Sequence, residues 1–401
     1  MADVTMAQIS AALKEVYEPR IEAQYNKEII FGKRIEKTSD GISDMIGGKY
    51  LDFPIEVARN PGISYRLEGE ALGNPGATPY EEVHVPVFAG YGRVRFTGHV
   101  MKLATTKPQA FADMAKREMT NLKDAALKDS SRIYYGDGTG LLATVAVGAT
   151  ASTIEVSRSE GKWLTKGMEI DILNTSTYVP LAVGREITLV VPGVTTTVVT
   201  FTGAAVTSTT SHGAYRAGNA TGGVQREPTG MLKIADNAGT LHTLDPTLAP
   251  IWKGVETAMG GALTEAAMGR LCDDIHENGG KVSAIFCSLG VRRAYFNLLK
   301  SGRQFHNTVE FDGGYKALGF HNGEEIPVIA DVDAPASTMI FTDEKELSIR
   351  QAEEWRLVDT DGNIFDRVPG YDMYEVLLRK FWELCTYRRN TQGKLVTITE
   401  G

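Results

Sequence analysis

The chain has 401 residues, of which 42% are hydrophobic, 23% charged and 8% aromatic, a composition that supports packed cores and excludes disorder for its bulk. Lys and Arg total 42 against 50 Asp and Glu, a formal net charge of -8, which excludes a surface that grips nucleic acid everywhere and leaves only a local basic patch. Cys272, Cys287 and Cys385 are odd in number and lack CxxC spacing, which speaks against a disulfide framework or a structural zinc site; they read as buried free thiols in a reducing compartment. The first apolar stretch carries charges, and no uninterrupted apolar run reaches about 18 residues, so the sequence reads as neither signal-secreted nor membrane-spanning.

Thr5-Met6-Ala7-Gln8 has the form of a helix capping box, followed by Ile9, Leu13, Val16 and Tyr17 at helical spacing until Pro19 intervenes. The chain is thus expected to open with an extended, partly helical arm. From Lys49 to Ala58 the period changes to two, with Leu51, Phe53, Ile55 and Val57 on one face. A second alternating run covers Val83 to Thr97, and Asn60-Pro61-Gly62, Gly69, Gly73 and Asn74-Pro75-Gly76 lie between the two. This pattern predicts a long two-stranded arm that is barely stable alone and so lies on something else, a neighbouring subunit being the simplest candidate.

Thr105 to Pro108 marks a helix start, and Phe111, Met114, Leu122 and Ile133 trace an apolar stripe over about 25 residues, near 40 Å at 1.5 Å per residue. The helix runs into Gly136-Asp137-Gly138-Thr139-Gly140. Residues 141–225 change in character: Ser, Thr and Val crowd the segment and charges thin out, which predicts a small all-β inserted domain whose ends meet in space. After Asp245 helices and strands alternate: a helix Thr264–Asn278, a strand Val282–Ser288, a helix through Arg292 and Leu299, then strands at Ile326–Asp331 and Thr338–Thr342. Long β runs, Tyr374–Arg388 and Leu395–Thr399, close the chain.

Catalytic and cofactor signatures fail on context. The glycines at 136, 138 and 140 follow a helix, whereas a dinucleotide loop follows a strand and opens a helix, so they read as a turn requiring positive φ. No P-loop and no GxSxG elbow occurs. Cys272 and His276 have metal-ligand spacing without a second pair, and Asp359 to Asn363 departs from a calcium loop; a core thiol, a surface histidine and a hairpin turn explain them better. The histidines stand without a paired nucleophile. No catalytic residue, cofactor or metal ligand is assigned. Arg292, Arg293, Lys300, Arg388 and Arg389 read as solvated faces or intersubunit ion pairs.

The order of arm, ribbon, long helix, Gly-Asp-Gly turn, α/β portion and β-rich return resembles the major capsid protein of tailed bacteriophages, whose fold also builds encapsulin shells. Family members carry a Gly-Asp-Gly turn leading into a Pro-Thr-Gly-Leu type segment. Here Gly136-Asp137-Gly138 is separated from Pro228-Thr229-Gly230-Met231-Leu232 by residues 141–225, and excising these rejoins the two halves, as an insertion at an exposed loop would. Ile326 to Asp331 and Met339 to Phe341 are also similar to the family's A-domain sequence.

The resemblance implies an α+β fold with an N-terminal arm (1–48), an E-loop ribbon (49–104), a P-domain spine helix and turn (105–140), an inserted β-rich domain (141–225), a return to the P-domain (226–244), an A-domain (245–370) and a C-terminal β-rich return (371–401). It implies a non-enzymatic shell subunit, assembling as pentamers and hexamers in the host cytoplasm into the icosahedral virion capsid around double-stranded DNA. The negative charge suits a container that encloses DNA without sequence-specific binding. A separate scaffolding protein, a portal protein and a decoration protein are the implied partners, and no membrane is involved. Expected assembly determinants are Ile9, Leu13, Phe53, Arg66, Glu68, Glu70, Phe111, Leu122, Arg292 and Arg293, with Arg66 forming tip salt bridges to Glu68 and Glu70. No lysine lies between Lys49 and Lys102, which argues against the lysine crosslinks of some relatives. An encapsulin-like compartment and a soluble module binding through the insertion are the rival expectations.

Overall fold

The structure, a computed structural model, describes residues 29–39, 50–98, 108–218, 225–302, 318–321, 325–359 and 364–401. The expected capping-box helix, Ile9, Leu13 and the Asp361-Gly362 turn lie outside these residues.

The centre is a six-stranded sheet in the order 255–261, 393–398, 339–342, 284–287, 325–330, 318–321. Strands Ala284–Cys287 and Met339–Thr342 are buried on both faces, which explains their unbroken apolar runs. Alternate residues feed two cores. Ile285, Cys287, Met339 and Phe341 pack against the helices Glu265–Glu277 and Leu289–Gly302 through Met268, Leu271, Ile275, Val291 and Tyr295. Ala284, Phe286 and Ile340 face the opposite way, into a core with Tyr134, Tyr135, Trp252, Leu347, Trp382 and Leu384. The first helix starts at Thr264, whose hydroxyl accepts the Ala267 amide at 3.3 Å. Cys272 is buried and His276 exposed on it, so the two do not form a ligand pair.

A second sheet is organised around the long strand Met373–Thr386, which pairs with 347–351, 356–357, 366–367 and, over its first ten residues, with Phe88–Thr97. The helix Pro108–Tyr135 packs on this sheet: Gly92 sits directly under Leu122, leaving only 3.1 Å to where a Cβ would stand. The end of the N-terminal segment is anchored, with Phe31 buried against Tyr134, Tyr135 and Phe286 and Glu36–Thr38 paired in parallel with 348–350. Lys37 meets Glu354, which also faces the almost completely buried Lys380; burial lowers that lysine to about 8.

Residues 141–216 form a closed six-stranded barrel in the order 196–201, 153–157, 141–147, 212–216, 169–174, 180–192. Ile154, Val156, Ile170, Ile172, Ile187 and Val199 fill it. Thr, Ser and Val at alternating positions are what such a half-exposed barrel wall requires, which accounts for the composition shift of this segment.

The reading of 83–97 as one ribbon strand needs correction. Tyr50–Glu56 pairs antiparallel with Tyr80–Pro86, after which the chain leaves the ribbon and Phe88–Thr97 joins the long C-terminal strand. Pro86 at the break removes a ladder donor, and the alternation changes phase just after it, from Val83 and Val85 facing inward at odd positions to Val94 and Phe96 facing inward at even ones.

Candidate assembly surfaces: ribbon, spine and insertion

The ribbon has a fixed base and a bare tip. Val83 and Val85 are 0% exposed and, with Leu51, Phe53 and Ile55, bury the ribbon's apolar face in the chain's own core. Phe53 stacks edge-on against Tyr387 at 5.4 Å. The ribbon base thus lies on its own subunit, and the expectation of a neighbour applies only to the tip. There Tyr65 is 97% exposed and Leu72 91%, with Ile63 and Leu67 also out in solvent. Asn60 closes the neck, accepting from the Gly62 amide at 2.8 Å and donating to the Gly76 carbonyl at 3.1 Å. Arg66, Glu68 and Glu70 are exposed, and among the described residues no ion pair joins them; Glu70 instead accepts the Leu67 amide at 3.1 Å. Among the described residues the expected tip salt bridges are therefore not made, and the Glu70 carboxylate is satisfied locally by a backbone N–H.

The ribbon's other face carries Asp52 opposite His84, with Nδ1 and Oδ1 2.6 Å apart, and Glu82 two residues along the same strand. The hydrogen bond to Asp52 raises the imidazole above its ordinary value. Sequence reading missed this grouping because pairing register across a long tip is not encoded in either strand alone.

The long helix clasps the root of the barrel. Arg132 donates from Nη2 to both carboxylate oxygens of Glu227 at 2.8 Å, from Nε to Asp129 at 3.2 Å and from Nη1 to the Leu141 carbonyl at 3.4 Å. Both Arg132 and Glu227 are buried. Burial works against the guanidinium charge, and the two carboxylates more than offset it, so Arg132 stays charged. Asp129 also receives Arg216 from the last barrel strand at 2.8 Å. Lys162 donates to the Val332 carbonyl, and Lys128 pairs with buried Asp333 at 2.6 Å while Lys128 and Lys162 both lie over Trp163. Entry and exit strands are thus tied to one helix. Gly138 and Gly140 take the expected positive φ, +82° and +81°, and Gly230 packs against the backbone of Ile133 and Gly136 with no room for a Cβ. The two separated halves of the Gly-Asp-Gly and Pro-Thr-Gly segments therefore touch.

Other expected positions are engaged within the chain. Leu122 covers Gly92, and Arg293 donates to the Gly401 carbonyl at 2.7 Å; Arg292 is exposed. Phe111 belongs to the long helix. Arg389 is not on a solvated face: it is 0% exposed and its guanidinium donates to the carbonyls of Lys233, Ile234, Ala238, Gly239 and Trp252. A short helix end and two turns converge there, and a planar five-donor fork satisfies all of them. Arg388 likewise caps the carbonyls of Asn278 and Gly279.

Residues 204–361 match the family model of the SU10 major capsid protein. No curated protein matches the chain. Among solved structures, the cyanophage A-1(L) capsid asymmetric unit superposes with a TM-score of 0.60 over 99% of this chain and 100% of that one, at 13% identity. The chain has the tailed-phage capsid fold. The capsid of an empty GTA particle has a TM-score of 0.50 over 99% of this chain and 100% of that chain at 10% identity.

Proposed function

We propose that this chain is the major capsid protein of a tailed double-stranded DNA bacteriophage, a non-enzymatic subunit that assembles as pentamers and hexamers into the icosahedral shell of the virion. The observation that carries this reading is the ribbon: its base is buried in its own subunit, while its tip presents Ile63, Tyr65, Leu67 and Leu72 to solvent with none of the described residues over them. Exposed apolar groups in such a row mark a contact with another molecule, and a repeated subunit supplies it by symmetry. In this reading Arg66, Glu68 and Glu70 pair with a neighbour's charges, and Arg292 lies on a second contact. Scaffolding, portal and decoration proteins are the further partners, with the barrel bracing neighbouring capsomers or receiving the decoration protein. Deleting Asn60 to Thr78 should leave a subunit with native circular dichroism that forms no closed shells by sedimentation and electron microscopy; normal shells from that deletion would overturn the interlocking role.

A further inference from the structure

We infer that Asp52, Glu82 and His84 form a zinc-class divalent metal site that staples the two strands of the ribbon at its base. One carboxylate oxygen from each acid and one imidazole nitrogen lie within 4.8 Å of one another. Two ligand atoms on one zinc ion, each about 2.1 Å from it, stand at most about 4.2 Å apart, so side-chain rotation of a few tenths of an ångström to about 1 Å brings the set into range. The antiparallel register fixes the arrangement: Asp52 faces His84 directly, and Glu82 follows on the same strand and the same face. That face points away from the core, because Val83 and Val85, between and beside these ligands in sequence, are the residues driven inward.

The chemistry of the donor set selects the ion. Two carboxylates and a neutral imidazole carry two negative charges, which one divalent ion neutralises, and an imidazole favours zinc over calcium or magnesium, which take oxygen ligands. The backbone is held as well: the His84 amide donates to the Thr243 hydroxyl at 3.3 Å, tying the ligand-bearing strand to the loop beside it. Three protein ligands leave a fourth position to water or to a donor from another molecule. Bound here, the ion would cross-link Tyr50–Glu56 to Tyr80–Pro86 where the ribbon leaves the subunit and so stiffen the lever that carries the exposed tip.

The test is calorimetric titration of Zn2+ alone into the full chain, with His84→Ala, Asp52→Asn and, as a control, His276→Ala. All three positions are exposed or half-exposed, and circular dichroism checks that each variant is folded. The expected result is one saturable site per chain, weakened about tenfold or more by His84→Ala and by Asp52→Asn and unchanged by His276→Ala. Absence of saturable binding would overturn the site, as would an isotherm that His84→Ala leaves unaltered. Neither outcome bears on the shell-forming role, which the tip deletion tests separately.

Discussion

Two buried titratable residues set opposite limits on stability. Glu383 is 0% exposed beneath the Pro228-Thr229-Gly230 turn; it accepts the Thr229 amide at 2.7 Å, and burial raises its carboxyl from 4.5 to about 8. Between those values the folded chain keeps a proton that the unfolded chain has released, so stability falls as pH rises across that window. His242 is pushed down from 6.5 to about 3 by burial and by the nearby Arg389, so the unfolded chain binds the extra proton and stability falls as pH drops from 6.5 to 3. The slopes oppose each other between 4.5 and 6.5. Urea unfolding should therefore show a plateau there and a loss of about 2 kcal/mol from pH 6.5 to 8, at about 1.4 kcal/mol per pH unit. Glu383→Gln should abolish the alkaline loss; an equal loss in wild type and variant would contradict this role. Neither residue announced itself in the sequence. A lone Glu in a strand and a lone His in a turn read as surface groups, and only the fold shows that a cap and a buried arginine lie against them. Arg389 was unreadable for the same reason: its five carbonyl partners come from residues 233–252, far away in the chain.

Elements with a strong period were legible because the physics that forms them is local. The long helix, the helix after Thr264 and the all-β insertion follow from apolar spacing, a cap and a change in composition. Partner choice was not legible. Val83 to Thr97 alternates with one change of phase after Val87, which does not say that Val83 and Val85 belong to the ribbon and Val94 and Phe96 to the sheet with Met373–Thr386. The clasp at the root of the barrel is likewise non-local, joining Arg132 to Glu227 across the inserted segment. Removing one member of this buried pair strands the other charge, so Arg132→Ala should cost about 3 kcal/mol or more in chemical denaturation. The double variant Arg132→Met with Glu227→Leu, which buries no charge, should cost less than Arg132→Ala alone. A single variant within about 0.5 kcal/mol of wild type would show that the pair does not hold the barrel to the helix.

At the scale of the whole molecule, the described residues bury three large cores and two small clusters, while apolar side chains stand exposed at the ribbon tip and on the barrel wall, where Leu189, Val191 and Val194 are exposed. A monomer gains nothing from holding such groups in water, whereas a lattice buries them many times over. The negative net charge opposes indiscriminate DNA binding while leaving apolar contact between subunits intact. The most direct measurement is negative-stain electron microscopy, with sedimentation, of the full chain expressed alone and with a candidate scaffolding protein. Closed shells, capsomers or tubes with hexagonal order are expected. A strictly monomeric protein under both conditions would contradict the shell-forming role and direct attention to the barrel as a binding module.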